Sequence, residues 1–359
     1  MNKETNIFKK IVGNQLFIPL VALLILIVFN LINDPSFFAL TIQNNIYGYP
    51  VLSGSIVSII DFGSELAILA IGMTIVTAAS GGQDISVGAV IAISGSTMLR
   101  ALCGTNPQPE TLRTSIFVAF LVGVIAAMIC GAFNGLLVAF FKIPPMVATL
   151  ILYTAGRSIA AWINENRLPM IYEPKFGYIG NFIPGIPIPT PVFIAAACML
   201  VIALLHKFTN LKLYTQAVGI NEESSRLNGI NPKLIKFSVF VILGVFVAVA
   251  ALIKVTRIST ITYSVIAKDI EMDAILAVAL GGNSLSGGKY NVWASVLGAY
   301  VIQFLTTTLY KLQVRSDALP AYKAVVVIIL VVISSPIVRD KFSRISKNLK
   351  SKKTENGGV

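Results

Sequence analysis

Apolar residues fall along this chain in long blocks, separated by short polar breaks rich in glycine, proline and charge. Ten such blocks can be drawn, at about 16–32, 51–80, 87–104, 115–141, 145–162, 191–205, 237–255, 272–282, 292–310 and 321–333. A bilayer core about 30 Å thick takes about 20 helical residues to cross. The pattern therefore predicts an all-α, polytopic membrane protein of about ten transmembrane helices, one or more of them broken. The first block runs on into Asn33-Asp34-Pro35 with no small-residue cleavage site, so it reads as a retained helix.

Two blocks have the wrong length. Segment 272–282 gives only about 17 Å of helix, so it borrows from the polar residues before it, is broken, or re-enters. Segment 51–80 would give about 45 Å. It contains Gly54, Gly63 and two acids, Asp61 and Glu65, whose spacing of four puts them on one helix face. Two arrangements fit. Either a break near Gly63 makes two half-helices that form a substrate site, or a tilted helix follows an interfacial one, with both acids near the outer headgroups.

Composition narrows the class. Of 359 residues 55% are hydrophobic and 12% charged, with a net charge of +12; soluble domains carry about 25% charge, and disorder needs low hydrophobicity. The basic residues are clustered: Arg339, Lys341, Arg344, Lys347, Lys350, Lys352 and Lys353 in the tail, Lys207, Lys212, Arg226, Lys233 and Lys236 centrally, and Lys3, Lys9 and Lys10 before the first block. Basic clusters beside apolar blocks mark cytoplasmic loops rather than a nucleic-acid surface. With ten crossings, both termini and the tail lie inside. The expected organisation is a cytoplasmic segment 1–15, a single transmembrane domain 16–335 with a cytoplasmic loop at about 207–236, and a basic cytoplasmic tail 336–359. The outer loop, about 163–190, is proline-rich and nearly neutral.

Cys103, Cys130 and Cys198 lie in or beside apolar runs and form no disulfide framework. The one histidine, His206, ends an apolar run and is expected at the membrane interface; alone it builds neither a metal site nor a catalytic triad. An enzyme and a resident metal or cofactor are both expected to be absent.

Two glycine-rich turns stand out, Gly81-Gly82-Gln83-Asp84-Ile85-Ser86-Val87-Gly88 and Gly281-Gly282-Asn283-Ser284-Leu285-Ser286-Gly287-Gly288. Each follows an Ile-Leu-Ala run, 68–70 and 275–277, which hints at internal duplication. Gly288-Lys289 suggests a phosphate loop, but Asn283 and Tyr290 stand where the Walker pattern needs Gly and Ser or Thr, so the chain shows no ATP site of its own. In the central loop Asn221 is a helix N-cap followed by Glu222 and Glu223. Gly229 can end that helix, and Asn231-Pro232 starts the next. Spacing alone reads this as an ordinary loop helix of about two turns.

At these residues the chain resembles the permease subunit of bacterial ATP-binding-cassette importers of the ribose, xylose and galactose type. Gly72-Met73-Thr74 with 81–88 is similar to that family's Gly-Met-Thr and Gly-Gly-Ile-Asp-Leu-Ser-Val-Gly stretches; 219–230 matches its cytoplasmic loop and 281–288 its late glycine turn. Gln83 departs from the family's usual Ile. The resemblance, spanning roughly 16 to 335, implies the bacterial cytoplasmic membrane, an ATPase subunit that binds the ATP, a periplasmic or lipid-anchored sugar-binding protein, and a second copy of the chain or a paralogous permease. Its partners would be these and lipid, with no nucleic acid. It points to Gly219, Asn221, Glu222, Glu223, Arg226 and Gly229 as the ATPase-coupling residues. Glu222 and Arg226 would contact the ATPase or pair with each other across one turn. Asp84, Ser86, Asn283, Ser284 and Ser286 are candidates to line or gate the path. The expected cargo is a monosaccharide; a nucleoside or a signal molecule is the alternative within the family. A rival of another class is an ion-coupled secondary carrier using the intramembrane acids Asp61, Glu65 and Glu271.

Overall fold

The computed structural model describes residues 16–44 and 48–334. The expected N-terminal segment 1–15 and basic tail 336–359 lie outside them. From the N-terminus come α1 (Phe17–Asn33), a short 3-10 turn (Pro35–Phe38), and strands β1 (Thr41–Asn44) and β2 (Pro50–Ser53). Then follow α2 (Ser55–Ser80), α3 (Val87–Cys103), α4 (Ile116–Ala139), α5 (Pro145–Ile163), α6 (Pro174–Gly180) and α7 (Thr190–Phe208). The remainder is α8 (Leu211–Ile220), α9 (Glu222–Leu227), α10 (Pro232–Ile258), α11 (Ile270–Leu280), α12 (Val292–Lys311) and α13 (Leu319–Ser334). Each of the ten apolar blocks contains a helix. Six of these helices, α2, α4, α5, α7, α10 and α12, are long and apolar enough to cross a membrane; α1 and α3 are apolar but shorter. The protein is an all-α, multi-pass membrane protein.

The break expected near Gly63 is absent: α2 is one helix of 26 residues. A Cβ on Gly63 would stand 2.6 Å from Cδ1 of Tyr300, so the glycine admits the α12 ring instead of ending a helix. Nor does an interfacial helix precede α2. Residues 50–53 pair antiparallel with 41–44, Thr41 opposite Ser53 and Asn44 opposite Pro50. Pro50 takes the first place of its strand, where its missing N–H costs least. The half-length helix is α11, whose eleven residues give about 16 Å.

The chain divides after Thr308 into two compact units. In the first, α2 and α10 are core helices, with 83% and 67% of their apolar windows buried, as is α12 with 72%, against 17% for α7. Apolar character does not separate core from lipid-facing helices here, since all are apolar; small residues do. Gly131 and Gly135 of α4 lie one turn apart against the Phe240 carbonyl and Phe237 of α10, while Gly244 faces the Ala127 carbonyl. The two helices therefore cross antiparallel at backbone distance. Gly72 does the same for α2 against Leu243. The opposite stripe of α4, with Phe117, Ile125, Ile129 and Phe133, is exposed. In the second unit α13 follows an Arg315–Asp317 ion pair of 2.7 Å.

Candidate functional site

The loop between α7 and α10 holds two helices, where the sequence pointed to one. In α9 the Asn221 side chain accepts from the Ser224 N–H at 2.9 Å, capping the helix as its sequence predicts. Gly229 turns the chain at φ +81°, and Asn231 Oδ1 accepts from Lys233 N and Leu234 N with Pro232 at the first helical position. The i, i+4 pair of Glu222 with Arg226 does not form. Arg226 instead bonds Glu223 at 2.6 Å and Glu222 reaches Lys236 of α10 at 2.6 Å. The second pair ties α9 to the first turn of α10. Between this segment and the α4–α5 turn lies a cleft of about 1090 Å³, walled by Lys142, Pro145, Glu222, Arg226 and Lys236 among others.

Just before the cap, α8 meets the two glycine turns. A Cβ on Gly219 would collide with the Ala78 carbonyl of α2 and lie 2.7 Å from Gly288 N. Gly288 N–H donates to that same carbonyl at 3.0 Å. Gly81 caps α2 in the left-handed conformation, φ +68°, with Ser286 O 3.1 Å from where its Cβ would be. Gly287 and Gly288 are also left-handed, at φ +91° and +80°. Gln83, the departure from the family's Ile, donates from Nε2 to the Leu285 carbonyl at 2.9 Å and so joins the turns by a side chain. Three stretches far apart in sequence thus meet backbone to backbone, without room for side chains.

The polar residues of the turns are placed differently from one another. Asp84 and Ser86 are buried. Asp84 Oδ1 accepts from Ser86 N (2.8 Å) and Ser86 Oγ (2.6 Å), and Oδ2 from Asn134 Nδ2 at 3.1 Å. Asn283 is buried too, bonding Asn291 and Ser295; Ser295 in turn accepts from Thr74. Ser284 is half-buried and Ser286 exposed, at the surface of the glycine junction. His206 shares a 2.6 Å hydrogen bond with the Tyr290 hydroxyl.

At the opposite end of α2, Asp61 and Glu65 share a face, as their spacing requires. Arg257 of α10 reaches both, 2.9 Å to Asp61 and 3.2 Å to Glu65. Lys254 stands 3.1 Å from Glu65 Oε1, and the Arg257 guanidinium lies 4.3 Å over the Phe62 ring. Two acids and two bases are gathered here in one cluster, with Arg257 bonded to both acids and Glu65 Oε1 left without an aligned hydrogen bond among the described residues. Glu271, in α11, lies apart from it: its Oε2 accepts no hydrogen bond among the described residues and faces Gly88 of α3, where a Cβ would collide with it.

Known proteins place the chain. The model of the family described as "Branched-chain amino acid transport system / permease component" matches residues 55–335, from the first residue of α2 to the end of α13. The chain belongs to that family. It is 33% identical over 354 residues to the fructose import permease protein FruF of Bifidobacterium longum, covering 97% of this chain and 94% of the relative. It is 34% identical to the galactofuranose transporter permease protein YtfT of Escherichia coli K12, covering 93% and 92%. To the ribose import permease protein RbsC of the same strain it is 31% identical, covering 88% and 92%. No solved structure matches.

Several residues that organise the permease were not singled out in its sequence. Lys254 and Arg257, two cations one turn apart at the end of an apolar helix, were the available signal, since charge at that depth requires a partner. Asn134 and Ser295 gave none, because an isolated polar residue in an apolar helix bonds its own preceding turn as readily as a neighbour. The three cysteines are free.

Proposed function

We propose that this permease is the membrane subunit of an ATP-binding-cassette importer that moves a monosaccharide across the cytoplasmic membrane. A separate ATPase hydrolyses the ATP, and a periplasmic or lipid-anchored binding protein delivers the sugar. The permease works as a homodimer or with a paralogous permease. The observation that carries the reading is the glycine junction, which joins an exposed, capped helix to α2 and to the α11–α12 turn. The fructose, galactofuranose and ribose permeases among its relatives favour a sugar over a nucleoside or signal molecule.

Charge orients the permease. The end of the first unit with the glycine junction carries Lys142, Lys207, Lys212, Arg226, Lys233, Lys236 and Lys289 against Glu222 and Glu223. Loops of the other end carry Arg113, Arg167 and Lys175 against Asp34, Glu110, Glu165 and Glu173. The positive-inside rule puts the junction in the cytoplasm, and ten crossings then put both termini there. On this arrangement α9, with Glu222, Glu223 and Arg226 on its surface, docks on the ATPase. Closure of the ATPase pulls α8 and α9, the junction passes the displacement to α2 and the 281–288 turn, and access alternates. Asp84, Ser86 and Asn283 hold the turns in shape, while Ser284 and Ser286 face the inner opening. The ion-coupled rival loses two of its three acids, because Asp61 and Glu65 are held by Arg257 and Lys254, and the sugar permeases among the relatives speak against it for Glu271 as well.

Sugar uptake by proteoliposomes is expected to require the ATPase subunit and to survive an uncoupler. Uptake that needs no ATPase and collapses with the uncoupler would overturn the proposal. Replacing Glu222 and Arg226 together by Ala should weaken ATPase association by about tenfold, two exposed charged contacts being worth about 0.5–1 kcal/mol each. Membrane insertion should be unchanged; undiminished association in a pull-down would remove α9 from the docking surface.

A further inference from the structure

A second cavity, of about 210 Å³, opens beside the half-length helix α11, and its walls include Phe62, Glu65, Lys254, Lys268, Asp273 and Gln303. Water takes about 30 Å³ per molecule, so the space can hold one small polar solute. Its depth is notable. Glu65 is the eleventh residue of α2 and Gln303 the twelfth of α12, each about 15 Å from its helix start. The two helices run antiparallel, since Gly63 and Ser64 meet Tyr300 while Thr74 meets Ser295. The cavity therefore lies well inside the apolar layer, where polar side chains need a reason to persist.

The chemistry of the wall suits a neutral polyol. Carboxylates from Glu65 and Asp273 disfavour an anion, and ammonium groups from Lys254 and Lys268 disfavour a free cation. A neutral molecule with many hydroxyls, each both donor and acceptor, satisfies both signs together. Lys268 makes no ion pair among the described residues. The Gln303 amide makes one long bond, 3.5 Å to Thr307 Oγ1. Glu65 is 1% exposed, and although Lys254 is close to its Oε1, that oxygen accepts no aligned hydrogen bond. Phe62 adds an apolar wall for the C–H face of a ring. The backbone is strained at the same place: Ala267, which also lines the cavity, and Asp269, which precedes α11, are left-handed at φ +51° and +65° without being glycine. Strain of this kind persists where the surroundings hold a functional geometry.

We propose that this cavity is a station on the transport path in which Glu65, Lys254, Lys268, Asp273 and Gln303 hydrogen-bond the hydroxyls of a single neutral monosaccharide. The proposal rests on the sugar-importer reading above and adds to it a place where the permease itself discriminates, beyond the selection made by a binding protein. Contacts are few and the cavity is open, so the sugar is held briefly and released.

The test uses the complete transporter, permease with ATPase and binding protein, in proteoliposomes with radiolabelled D-fructose, D-ribose and D-galactose. For whichever sugar the wild type takes up, Gln303→Leu and Lys268→Met should each lower the sugar moved per ATP by about five- to tenfold, the worth of one hydrogen bond. ATP hydrolysis stimulated by the binding protein should stay near the wild-type rate. A second measurement does not depend on those variants assembling. Gln303→Cys, with Cys103, Cys130 and Cys198 replaced by Ser, should react with a membrane-impermeant thiosulfonate more slowly in excess sugar than in excess choline chloride. Wild-type sugar moved per ATP in both variants, or labelling indifferent to sugar, would remove the cavity from the path and leave the importer reading intact. A wild type that hydrolyses ATP yet takes up none of the three sugars would overturn the sugar reading itself, and the ligand proposed here with it.

Discussion

Gly219→Ala is expected to lower sugar uptake by at least about tenfold. The added Cβ would run into the Ala78 carbonyl and stand 2.7 Å from Gly288 N. Both obstacles are backbone, joined to each other by the 3.0 Å bond between Gly288 and Ala78, so neither can swing aside as a side-chain tip would. Overpacking of this kind costs about 1–3 kcal/mol. It is relieved by parting α8 from α2, which breaks the connection between α9 and the turns. ATP hydrolysis should persist more than uptake, so that the two uncouple in proteoliposomes. Gly229→Asn is the control. Gly229 is left-handed, at φ +81°, but a Cβ there meets nothing within 4 Å, and Asn adopts that conformation readily. Should both variants take up sugar equally well, the junction does not transmit the stroke.

Arg257→Met should destabilise the permease by about 3–5 kcal/mol, the usual result of stripping one partner from a buried ion cluster. The Arg257 side chain is 11% exposed and its partners Asp61 and Glu65 are 15% and 2% exposed. Lys254 would still compensate Glu65, leaving Asp61 as the uncompensated charge. The double variant Arg257→Met with Asp61→Leu should therefore recover a large part of the loss, because it removes the charge together with its partner. Arg257→Lys should fall between, since an ammonium cannot reach both carboxylates with the planar fork of a guanidinium. Thermal unfolding in detergent reads all three. A loss under about 1 kcal/mol for Arg257→Met, the size of an exposed pair, would mean that water reaches the cluster.

The apolar blocks marked all six helices that are long and apolar enough to cross a membrane, because their signal is local: length and composition over a window of about 20 residues. The caps at Asn221, Gly229 and Asn231-Pro232 were legible for the same reason, each acting on backbone groups within four residues of itself. Glycine was only half legible. Gly63 looked like a helix break, and in the fold it admits a tyrosine ring; that the turns at 81–82 and 287–288 form one contact had no signal in either of them. A glycine's meaning depends on what approaches its missing side chain, and that neighbour is about 200 residues away along the chain.

What the sequence by itself determined is the class of protein, the position of its long apolar helices, the small capped helix in the 207–236 loop and, through three motifs, its family. Tertiary structure alone decided that Arg257 neutralises Asp61 and Glu65, that Glu222 joins Lys236 instead of Arg226, that α8 is fused to both glycine turns, and that a polar cavity sits beside α11. Helices and caps are set by interactions within a few residues, which a linear pattern records. Ion pairs, close backbone contacts and cavities are set by which helices become neighbours. Among helices that are all apolar, that choice falls to small residues and matched charges scattered over the whole chain, and no local window contains them.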